Sequence, residues 1–511
     1  TAYSEKIPTP PGDIENPPTI VPKHTITINH YYQNSSCGYD IHSEDTTKEY
    51  IEENVIYTPK YKTLINSGYY PKEMKNALTG EDLSNGFIVT KDTTVNVYYD
   101  RLQYKIVTER YVDGVLYDTF AENAYYNEQY TVKGLDLKKC NLTGYKLDKI
   151  AVPGFGNVNS FTVTGNIPKE NPIKVYYIPR TFTVTFNANS GNITDNNKSV
   201  TTAQRTVKYN HEDNNNVSSL NPVKTGYTFI GWYEKVKNED GSDGEIQVYN
   251  AQGNCSNNGI HWKDSKWIKE SNITVYAHWK ANNYTLTLDA NGGYLDGGAL
   301  EDGKANTIAT LSPTYDKTTF NDVAYLNPQR TGYTFEGWYT AKNNGTQIYD
   351  KTGKCTNDGK YWKDGKWHLT ENATVYAHWE PKKYVISYKG NKPTQATHNV
   401  TGSTASTNHV YDSYGNLAEN GFKLPGWKFV NWNTKVDGSG KSYKAGERVI
   451  NVTDGTDGVL YAQWTPDTYT IKFNKNKPSN ATHEITGTMA DQVVKYDTKT
   501  KLNKSEYKLH G

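Results

Sequence analysis

The sequence predicts a mostly β protein, an elongated beads-on-a-string array of small modules with at most one short helix each. The first observation is repetition: the phrase Thr-Gly-Tyr-Thr-Phe-x-Gly-Trp-Tyr occurs at 225–233 and 331–339, and a degenerate copy lies at 425–433. The second is that a closing phrase ending in Trp follows each copy, at 275–279, 375–379 and 460–464. Recurrence of ordered phrases is the signature of tandem modules.

The third observation is composition. The chain has 43 Tyr against 12 Phe and 2 Met, and its 41 Gly residues cluster with Asn between short runs of Thr, Val and Tyr. Tyr, Thr and Val favour a pleated, half-buried surface, while Gly and Asn supply turns. The composition therefore favours short strands over helices.

Length and charge limit the classes of function. A chain of 511 residues is too long for one core, so several domains are expected. Its 56 Lys and Arg residues balance 55 Asp and Glu residues, which argues against nucleic acid and against an anionic membrane as partners. No apolar run approaches the roughly 18 residues of a membrane span. The sequence starts at Thr1 without a signal peptide and stops within a repeat, so we interpret it as a fragment.

The chain divides into seven predicted segments. Residues 1–22 form a Pro-rich, semi-rigid linker. Two modules of a first type follow, at 23–100 and 101–179, each with an alternating opening strand, a central Gly-Tyr pair and a closing Val-Tyr-Tyr. The other predicted segments are three modules of a second type and a truncated fourth copy, at 180–280, 281–381, 382–466 and 467–511.

The second module type opens on a strictly alternating strand. Phe182, Val184 and Phe186 alternate with threonines, which predicts one buried and one solvated face. A short helical turn is expected near Val217–Leu220 and is the only helix predicted in these modules. The connectors at 280–283, 380–383 and 465–468 are short and polar. We therefore expect small, mostly polar contacts between neighbours, with some bending at each joint.

The central phrase predicts a β-bulge. By simple alternation Tyr227 and Phe229 face one side of the strand and Trp232 the other. A bulge at Gly231, a residue that tolerates positive φ, would bring all three aromatic rings into one core; Gly337 and Asn431 take that place in the later copies. The predicted core residues are Tyr227, Phe229, Trp232, Trp279, Tyr333, Phe335, Trp338, Trp379, Trp427, Phe429, Trp432 and Trp464.

These phrases resemble a known family of bacterial surface repeats. The central and closing phrases, with the Asn-Ala-Asn-Ser-Gly start at 187–191, look like the Listeria–Bacteroides repeat, also called the internalin B-repeat, over about 180–466. The 23–179 pair is similar to mucin-binding-protein (MucBP) repeats through its Gly-Tyr and closing Val-Tyr-Tyr phrases. The resemblance implies β-grasp-like modules in secreted or wall-attached bacterial proteins, commonly adhesins, and no catalytic residues.

Catalytic and metal chemistry find little support in the sequence. Cys37, Cys140, Cys255 and Cys355 lie one per module and show no metal-binding spacing, so we expect free, mostly buried thiols and no disulfide. His261 lies near Cys255, but Tyr361 replaces it in the next copy, so no Cys/His pair recurs. We predict no enzyme, no metal site and no cofactor.

An insertion in the first two copies is the best candidate for a ligand site. It repeats the pattern Trp-Lys-Asp-x-x-Trp, with Asp-Ser or Asp-Gly as a plausible hairpin tip. Exposed tryptophans could stack on sugars or anchor a protein partner, in which case the hairpin protrudes and is dispensable for folding. The alternative is that the indoles fill the module's own core. The candidate residues are Trp262, Lys263, Asp264, Trp267, Trp362, Lys363, Asp364 and Trp367.

Two functions from different classes remain open at this stage. The first is a monomeric extracellular stalk or adhesin segment at a bacterial cell surface or cell wall, contacting host glycoproteins, mucin or other glycans. The second is an accessory region of a secreted carbohydrate-active enzyme whose catalytic domain lies outside this sequence. Flanking sequence separates them, since a neighbouring catalytic domain favours the second and a wall-sorting signal the first.

Overall fold

The computed structural model describes residues 19–64, 67–296 and 306–511, so most of the predicted Pro-rich linker lies outside the described residues. Two compact units divide the chain: residues 1–222 with 230–278, and residues 223–229 with 279–511. The described residues form many small sheets in sequence and two short 3-10 turns. The predicted mostly β, tandem organisation is confirmed; the exact segment boundaries stay predictions.

The first two large sheets have four strands each and share one topology. In the first sheet the order is β2-β1-β6-β4, and in the second it is β8-β7-β12-β10. The strands up to the end of the second sheet are β1 (Lys23–Gln33), β2 (Tyr39–Glu52), β3 (Ile56–Tyr57), β4 (Tyr69–Asn76), β5 (Phe87–Ile88), β6 (Thr93–Arg101), β7 (Gln103–Val112), β8 (Val115–Tyr125), β9 (Gln129–Thr131), β10 (Tyr145–Ala151), β11 (Ser160–Thr162) and β12 (Ile173–Pro179).

The third sheet has five strands in the order β16-β13-β21-β17-β18. Its opening strand β13 shows the predicted alternation, since Phe182, Val184 and Phe186 are buried while the threonines between them are half-buried. The elements of this segment are β13 (Thr181–Asn187), β14 (Ile193–Asp195), β15 (Lys198–Val200), β16 (Thr202–Lys208), the 3-10 turn η1 (Val217–Leu220), β17 (Tyr227–Lys237), β18 (Asp243–Asn250), β19 (Trp262–Lys263), β20 (Lys266–Trp267) and β21 (Ile273–Ala281).

The fourth and fifth sheets repeat this topology, with the orders β24-β22-β30-β26-β27 and β33-β31-β39-β36-β37, and a two-stranded sheet β40-β41 follows. Their elements are β22 (Leu286–Asp289), β23 (Tyr294–Leu295), β24 (Ile308–Leu311), η2 (Ala324–Leu326), β25 (Pro328–Gln329), β26 (Tyr333–Tyr339), β27 (Gln347–Tyr349), β28 (Trp362–Lys363), β29 (Lys366–Trp367), β30 (Ala373–Pro381), β31 (Lys383–Lys389), β32 (Thr401–Gly402), β33 (Thr407–Val410), β34 (Gly415–Asn416), β35 (Phe422–Lys423), β36 (Trp427–Asn433), β37 (Ser442–Tyr443), β38 (Arg448–Val449), β39 (Gly458–Pro466), β40 (Thr468–Ile471) and β41 (Gln492–Lys495).

One pairing is common to all five large sheets: the first strand of the sheet runs parallel to the last and hydrogen-bonds to it. Two parallel neighbours point the same way, so the last strand ends at the opposite end of the sheet from the start of the first strand. The chain therefore enters each sheet at one end and leaves it at the other.

The predicted bulge in the central phrase is present. In the fourth sheet the register against β30 shifts between Phe335 and Gly337, so Glu336 is the extra residue, and Gly337 has φ +133°. The fifth sheet has the same shift between Phe429 and Asn431. Asn431, unlike glycine there, is not among the described residues with positive φ, so the bulge forms without that conformation.

The bulge delivers one tryptophan per sheet to full burial. Trp232, Trp338 and Trp432 are at most 1 % exposed, whereas the closing tryptophans are half-buried. In the fourth sheet Phe335 lies between the two indoles, with ring centroids 5.5 Å from both Trp338 and Trp379. Both contacts are edge to face, and Trp379 packs at the edge of the core.

Several smaller expectations have mixed outcomes. The turn η1 lies where it was predicted, but a second 3-10 turn, η2, was not predicted. All four cysteines are free, as expected, yet Cys37 is exposed and the other three are half-buried, so the expectation of mostly buried thiols is wrong. Cys37 lies in a bend and Cys140 in a turn, while Cys255 and Cys355 form isolated bridges, so none occupies the inward face of a strand in a large sheet.

The connectors differ most from the prediction. Single residues separate the last strand of one sheet from the first strand of the next at Leu102, Arg180, Lys382 and Asp467, because the closing strands continue through the residues that the sequence suggested were linkers. The residues around these connectors are aromatic as well as polar: Tyr333 packs on Tyr411 with ring centroids 5.7 Å apart. Aromatic packing thus accompanies polar contacts at this joint, and the expectation of small contacts stays a prediction.

Replacing Trp338 by alanine should destabilise the fourth sheet by about 3–5 kcal/mol, because it empties a fully buried indole site. The matched control is Tyr325→Ala, which removes a ring that is 53 % exposed in the turn η2, between β24 and β25. Amide hydrogen exchange along β26 and β30 measures the effect. Equal exchange rates in the two variants would contradict the assignment of Trp338 to the core.

Candidate functional site

The insertion forms the predicted hairpin in both copies. Trp262 pairs with Trp267 in the module of the third sheet, and Trp362 pairs with Trp367 in the module of the fourth sheet. Asp264 and Ser265 both have positive φ, as do Asp364 and Gly365. Two consecutive residues with positive φ define the type I′ turn that suits two-residue hairpins.

The indoles of this hairpin are inside the protein. All four have no exposed surface, and the two rings of each pair meet edge to face at 5.1 and 5.2 Å between centroids. In the fourth sheet Trp362 and Trp367 belong to the same core cluster as Trp338. The picture of a protruding hairpin with exposed indoles is therefore wrong, and the alternative, indoles that fill the module's own core, describes the structure. Small β modules lack apolar volume, and these rings supply it.

The polar residues of the insertion form its exposed tip. Lys263 and Asp264 are exposed, and so are Lys363 and Asp364. Their role as ligand contacts stays a prediction. It no longer includes the tryptophans, because the indoles are buried and only the Lys and Asp side chains are exposed.

The backbone of the hairpin forms hydrogen bonds with the start of the loop that follows β16. The Trp267 carbonyl accepts from the Asn210 N–H at 2.7 Å, and the Trp267 N–H donates to the His211 carbonyl at 3.0 Å. In the fourth segment the Trp367 carbonyl accepts from the Asp316 N–H at 2.8 Å. The insertion is thus hydrogen-bonded to the residues that follow β16 in one module and β24 in the next.

His261 is committed to structural partners. It is fully buried, and its two ring nitrogens lie 2.6 Å from Glu234 Oε2 and 3.0 Å from Asn258 Nδ2. The His261 and Lys269 contacts lower the pKa of the Glu234 carboxyl, against a desolvation effect that would raise it. In the next copy, burial raises the pKa of the Cys355 thiol, which corresponds to Cys255, and this disfavours the reactive thiolate.

A groove of about 520 Å³ opens beside the core of the fourth sheet. Aromatic residues, among them Phe335, Trp338 and Trp379, line it. Three cationic residues from separate parts of the chain also line it, and the described lining residues include no carboxylate; the cations are Arg330, Lys351 and Lys382. The buried indole N–H of Trp338 has no hydrogen-bond partner among the described residues. Sequence inspection missed this groove because its cations share no motif.

Deleting residues 254–268 should unfold the third sheet, because the deletion removes two fully buried indoles, Trp262 and Trp267. The single change Trp267→Ala should cost about 3–5 kcal/mol for the same reason. Lys263→Ala at the exposed tip is the control. Hydrogen exchange along β13 and β16 reports the outcome, and a deletion variant that keeps wild-type protection would restore the dispensable hairpin.

No helix in the described ranges is both long and apolar enough to cross a bilayer. Among proteins with curated descriptions, the chain is 32 % identical over 134 residues to Internalin H of Listeria monocytogenes, covering 26 % of this chain and 18 % of that protein. It is 31 % identical over 215 residues to a protein described as a Gly-rich membrane protein of Evansella cellulosilytica, covering 42 % of this chain and 22 % of the relative. The chain thus spans less than a third of the length of these relatives.

Solved structures give weak similarity. The type 2 repeat of the mucus binding protein MUB from Lactobacillus reuteri aligns over 35 % of this chain and 100 % of its own, at 15 % identity and a TM-score of 0.11. The Bacillus anthracis TIE protein aligns over 88 % of this chain and 76 % of its own, at 11 % identity and a TM-score of 0.18. TM-scores this low carry no functional information, and the MucBP character of residues 23–179 stays a prediction.

The Listeria-Bacteroides repeat domain matches residues 182–252 and 284–378, less than half of the chain. These residues hold the central phrases, their bulges and the tryptophans buried behind them. The match agrees with the resemblance drawn from those phrases over residues 182–252 and 284–378, and its extension to residues 382–466 stays a prediction.

Proposed function

We propose that this chain is a non-catalytic, monomeric segment of an extracellular bacterial surface protein, which spaces its modules in series and contacts host glycoproteins. The observation that carries the spacer role is the parallel pairing of first and last strands. Each sheet is entered at one end and left at the other, which suits modules that are connected in series.

The location is proposed from the repeat type and from the relatives. The Listeria-Bacteroides repeats, the similarity to Internalin H and the relative described as a membrane protein support a place at the cell surface or in the cell wall. The finer assignment to β-grasp-like modules is supported by the shared strand order, in which first and last strands pair in the centre of the sheet.

A structural rather than catalytic role is supported by the state of the reactive side chains. The imidazole of His261 is held between Glu234 and Asn258 and is not available to activate a thiol. The raised pKa of Cys355 keeps that thiol protonated at neutral pH.

The contact with host glycoproteins is proposed at the groove of the fourth sheet. Its volume lies within the range of small-ligand sites. Aromatic rings bind the apolar faces of sugars, while Arg330, Lys351 and Lys382 favour a carboxylate or sulfate group. This chemistry selects an acidic glycan over a neutral one.

The test is binding of the full chain to a glycan array that contains matched acidic and neutral sugars. We expect binding to acidic glycans, weakened about tenfold by Lys351→Ala, because a charge-assisted hydrogen bond to the ligand is lost. Lys317→Ala, which removes an exposed lysine outside the groove, is the matched control.

Retention of full affinity in Lys351→Ala and Arg330→Ala would exclude the groove. Absence of binding to every acidic glycan would contradict the glycoprotein contact itself.

A further inference from the structure

A glycine precedes the central strand of every large sheet, and a tyrosine ring from the next segment lies against it. A Cβ built on each glycine would lie 2.1 to 2.3 Å from the nearest ring carbon, far inside any real contact distance. In each case both partners lie within one compact unit. The pairs are Gly68 with Tyr126, Gly144 with Tyr209, Gly226 with Tyr315, Gly332 with Tyr411, and Gly426 with Tyr496.

Two backbone hydrogen bonds through one connecting residue accompany each ring. One connecting residue donates its N–H to the glycine carbonyl at 2.8 to 3.0 Å, and its own carbonyl accepts the tyrosine N–H at 2.8 to 3.0 Å. The connecting residues are Leu102, Arg180, Asn282, Lys382 and Asp467. Because these hydrogen bonds use backbone atoms alone, five different side chains can occupy the connecting position.

The residue after the glycine completes the joint. In the first four joints it is a tyrosine that meets the incoming ring edge to face, with centroids 5.3 to 5.7 Å apart and interplanar angles of 71 to 77°. In the fifth it is Trp427, whose indole N–H donates to Asp497 Oδ2 at 3.0 Å.

An Asn or Asp follows each incoming tyrosine, with φ between +48 and +60°. Asx residues tolerate this left-handed conformation better than most. The Tyr333 hydroxyl donates to Asp412 at 2.6 Å, which lowers the pKa of that carboxyl and, with burial, raises the pKa of the tyrosine. The five residues are Asn127, Asn210, Asp316, Asp412 and Asp497.

In the first sheet, no glycine in the described chain precedes the residue that corresponds to the incoming tyrosine. Glu53 takes the place of the tyrosine: its N–H donates to the Pro22 carbonyl at 2.8 Å, and the following Asn54 has φ +64°. The backbone geometry is therefore intrinsic to the module, whereas the ring is present where a glycine faces it.

We propose that the glycine and the aromatic residue after it form a docking surface whose partner is the Tyr-Asx pair of the following module, of either repeat type. Docking couples neighbouring modules, so that the ring stabilises the connection between two sheets as well as its own sheet. Tyr209 illustrates this coupling, since it packs against the core cluster of the second sheet although it follows β16 of the third. This inference is independent of the glycan contact proposed above.

The sharpest test is the joint between the second and third sheets, in the full chain. Gly144 does not have a positive φ, so alanine fits its backbone and only the Tyr209 ring opposes a methyl group. We expect Gly144→Ala to speed hydrogen exchange of the Arg180 and Tyr209 amides about tenfold or more, with smaller effects inside β10 and β16. In a Tyr209→Ala background the same glycine change should have no further effect.

A second pair of variants guards against loss of folding at that joint. Gly68 and Gly80 both have φ +75°, but a Cβ on Gly68 would meet the Tyr126 ring while a Cβ on Gly80 would meet nothing within 4 Å. We expect Gly68→Ala to speed exchange of the Leu102 and Tyr126 amides and Gly80→Ala to leave it unchanged. Equal effects of these two changes, or an effect of Gly144→Ala that persists without the Tyr209 ring, would overturn the proposal.

Discussion

The hydrogen-bonded parallel pairing of the first and last strands is the constraint on which the rest of each module depends. It occupies the centre of every large sheet, in both repeat types, and leaves one flank for the hairpin partner of the first strand and the other for the central phrase. It also fixes where the chain leaves. The closing strand runs the length of the sheet, and the next sheet begins a short distance beyond it. One residue separates the two strands after Arg101, Pro179, Pro381 and Pro466, and four residues separate them after Ala281.

That short connection places two surfaces in contact that the sequence keeps far apart. The start of the central strand lies beside the end of the closing strand, because the two are antiparallel neighbours; Tyr333 pairs with Pro381. The loop after the second strand of the next sheet arrives at the same place, and its Tyr411 ring occupies the space that a side chain on Gly332 would need. The glycine of the central phrase is therefore required by the neighbouring module as much as by its own turn.

The Trp-bearing insertion contributes a backbone hydrogen bond at two of these joints. Where it is present, the carbonyl of Trp267 or Trp367 caps the N–H of the residue after the incoming tyrosine. In the fifth sheet, which lacks the insertion, the Asn451 side chain caps the N–H of Asp412 instead, at 2.6 Å. In these three cases the N–H of the Asx residue, which is in the left-handed conformation, has a hydrogen-bond partner.

Much of the fold follows from local sequence, and the joints do not. Alternation in Phe182, Val184 and Phe186 and the glycine of the Gly-Trp pair predicted a strand and a bulge, because both depend on neighbouring residues along one strand. Exposure of Trp262 could not be judged in this way, since it depends on apolar volume elsewhere in the module. A signal for the joints was present in the recurring Tyr-Asn and Tyr-Asp pairs, but their partners lie in another module.

The domain boundaries were harder to place than the modules themselves. Polar residues at 280–283 and 380–383 suggested linkers, yet β21 and β30 run through Ala281 and Pro381. Polarity indicates solvent contact, which an edge or terminal strand residue shares with a loop. The groove beside Trp338 shows the same limit, because its cations come from three separate parts of the chain.

Proton NMR of the full chain, with glycine labelled selectively, tests the ring-on-glycine contact most directly. A proton that lies against the face of an aromatic ring resonates upfield of its ordinary position. The account predicts upfield-shifted α-protons for the five glycines that precede central strands, while Gly80 and Gly241, which have open space around them, keep ordinary shifts. Ordinary shifts at Gly68, Gly144 and Gly332 would show that the rings do not occupy these positions in solution and would contradict the account.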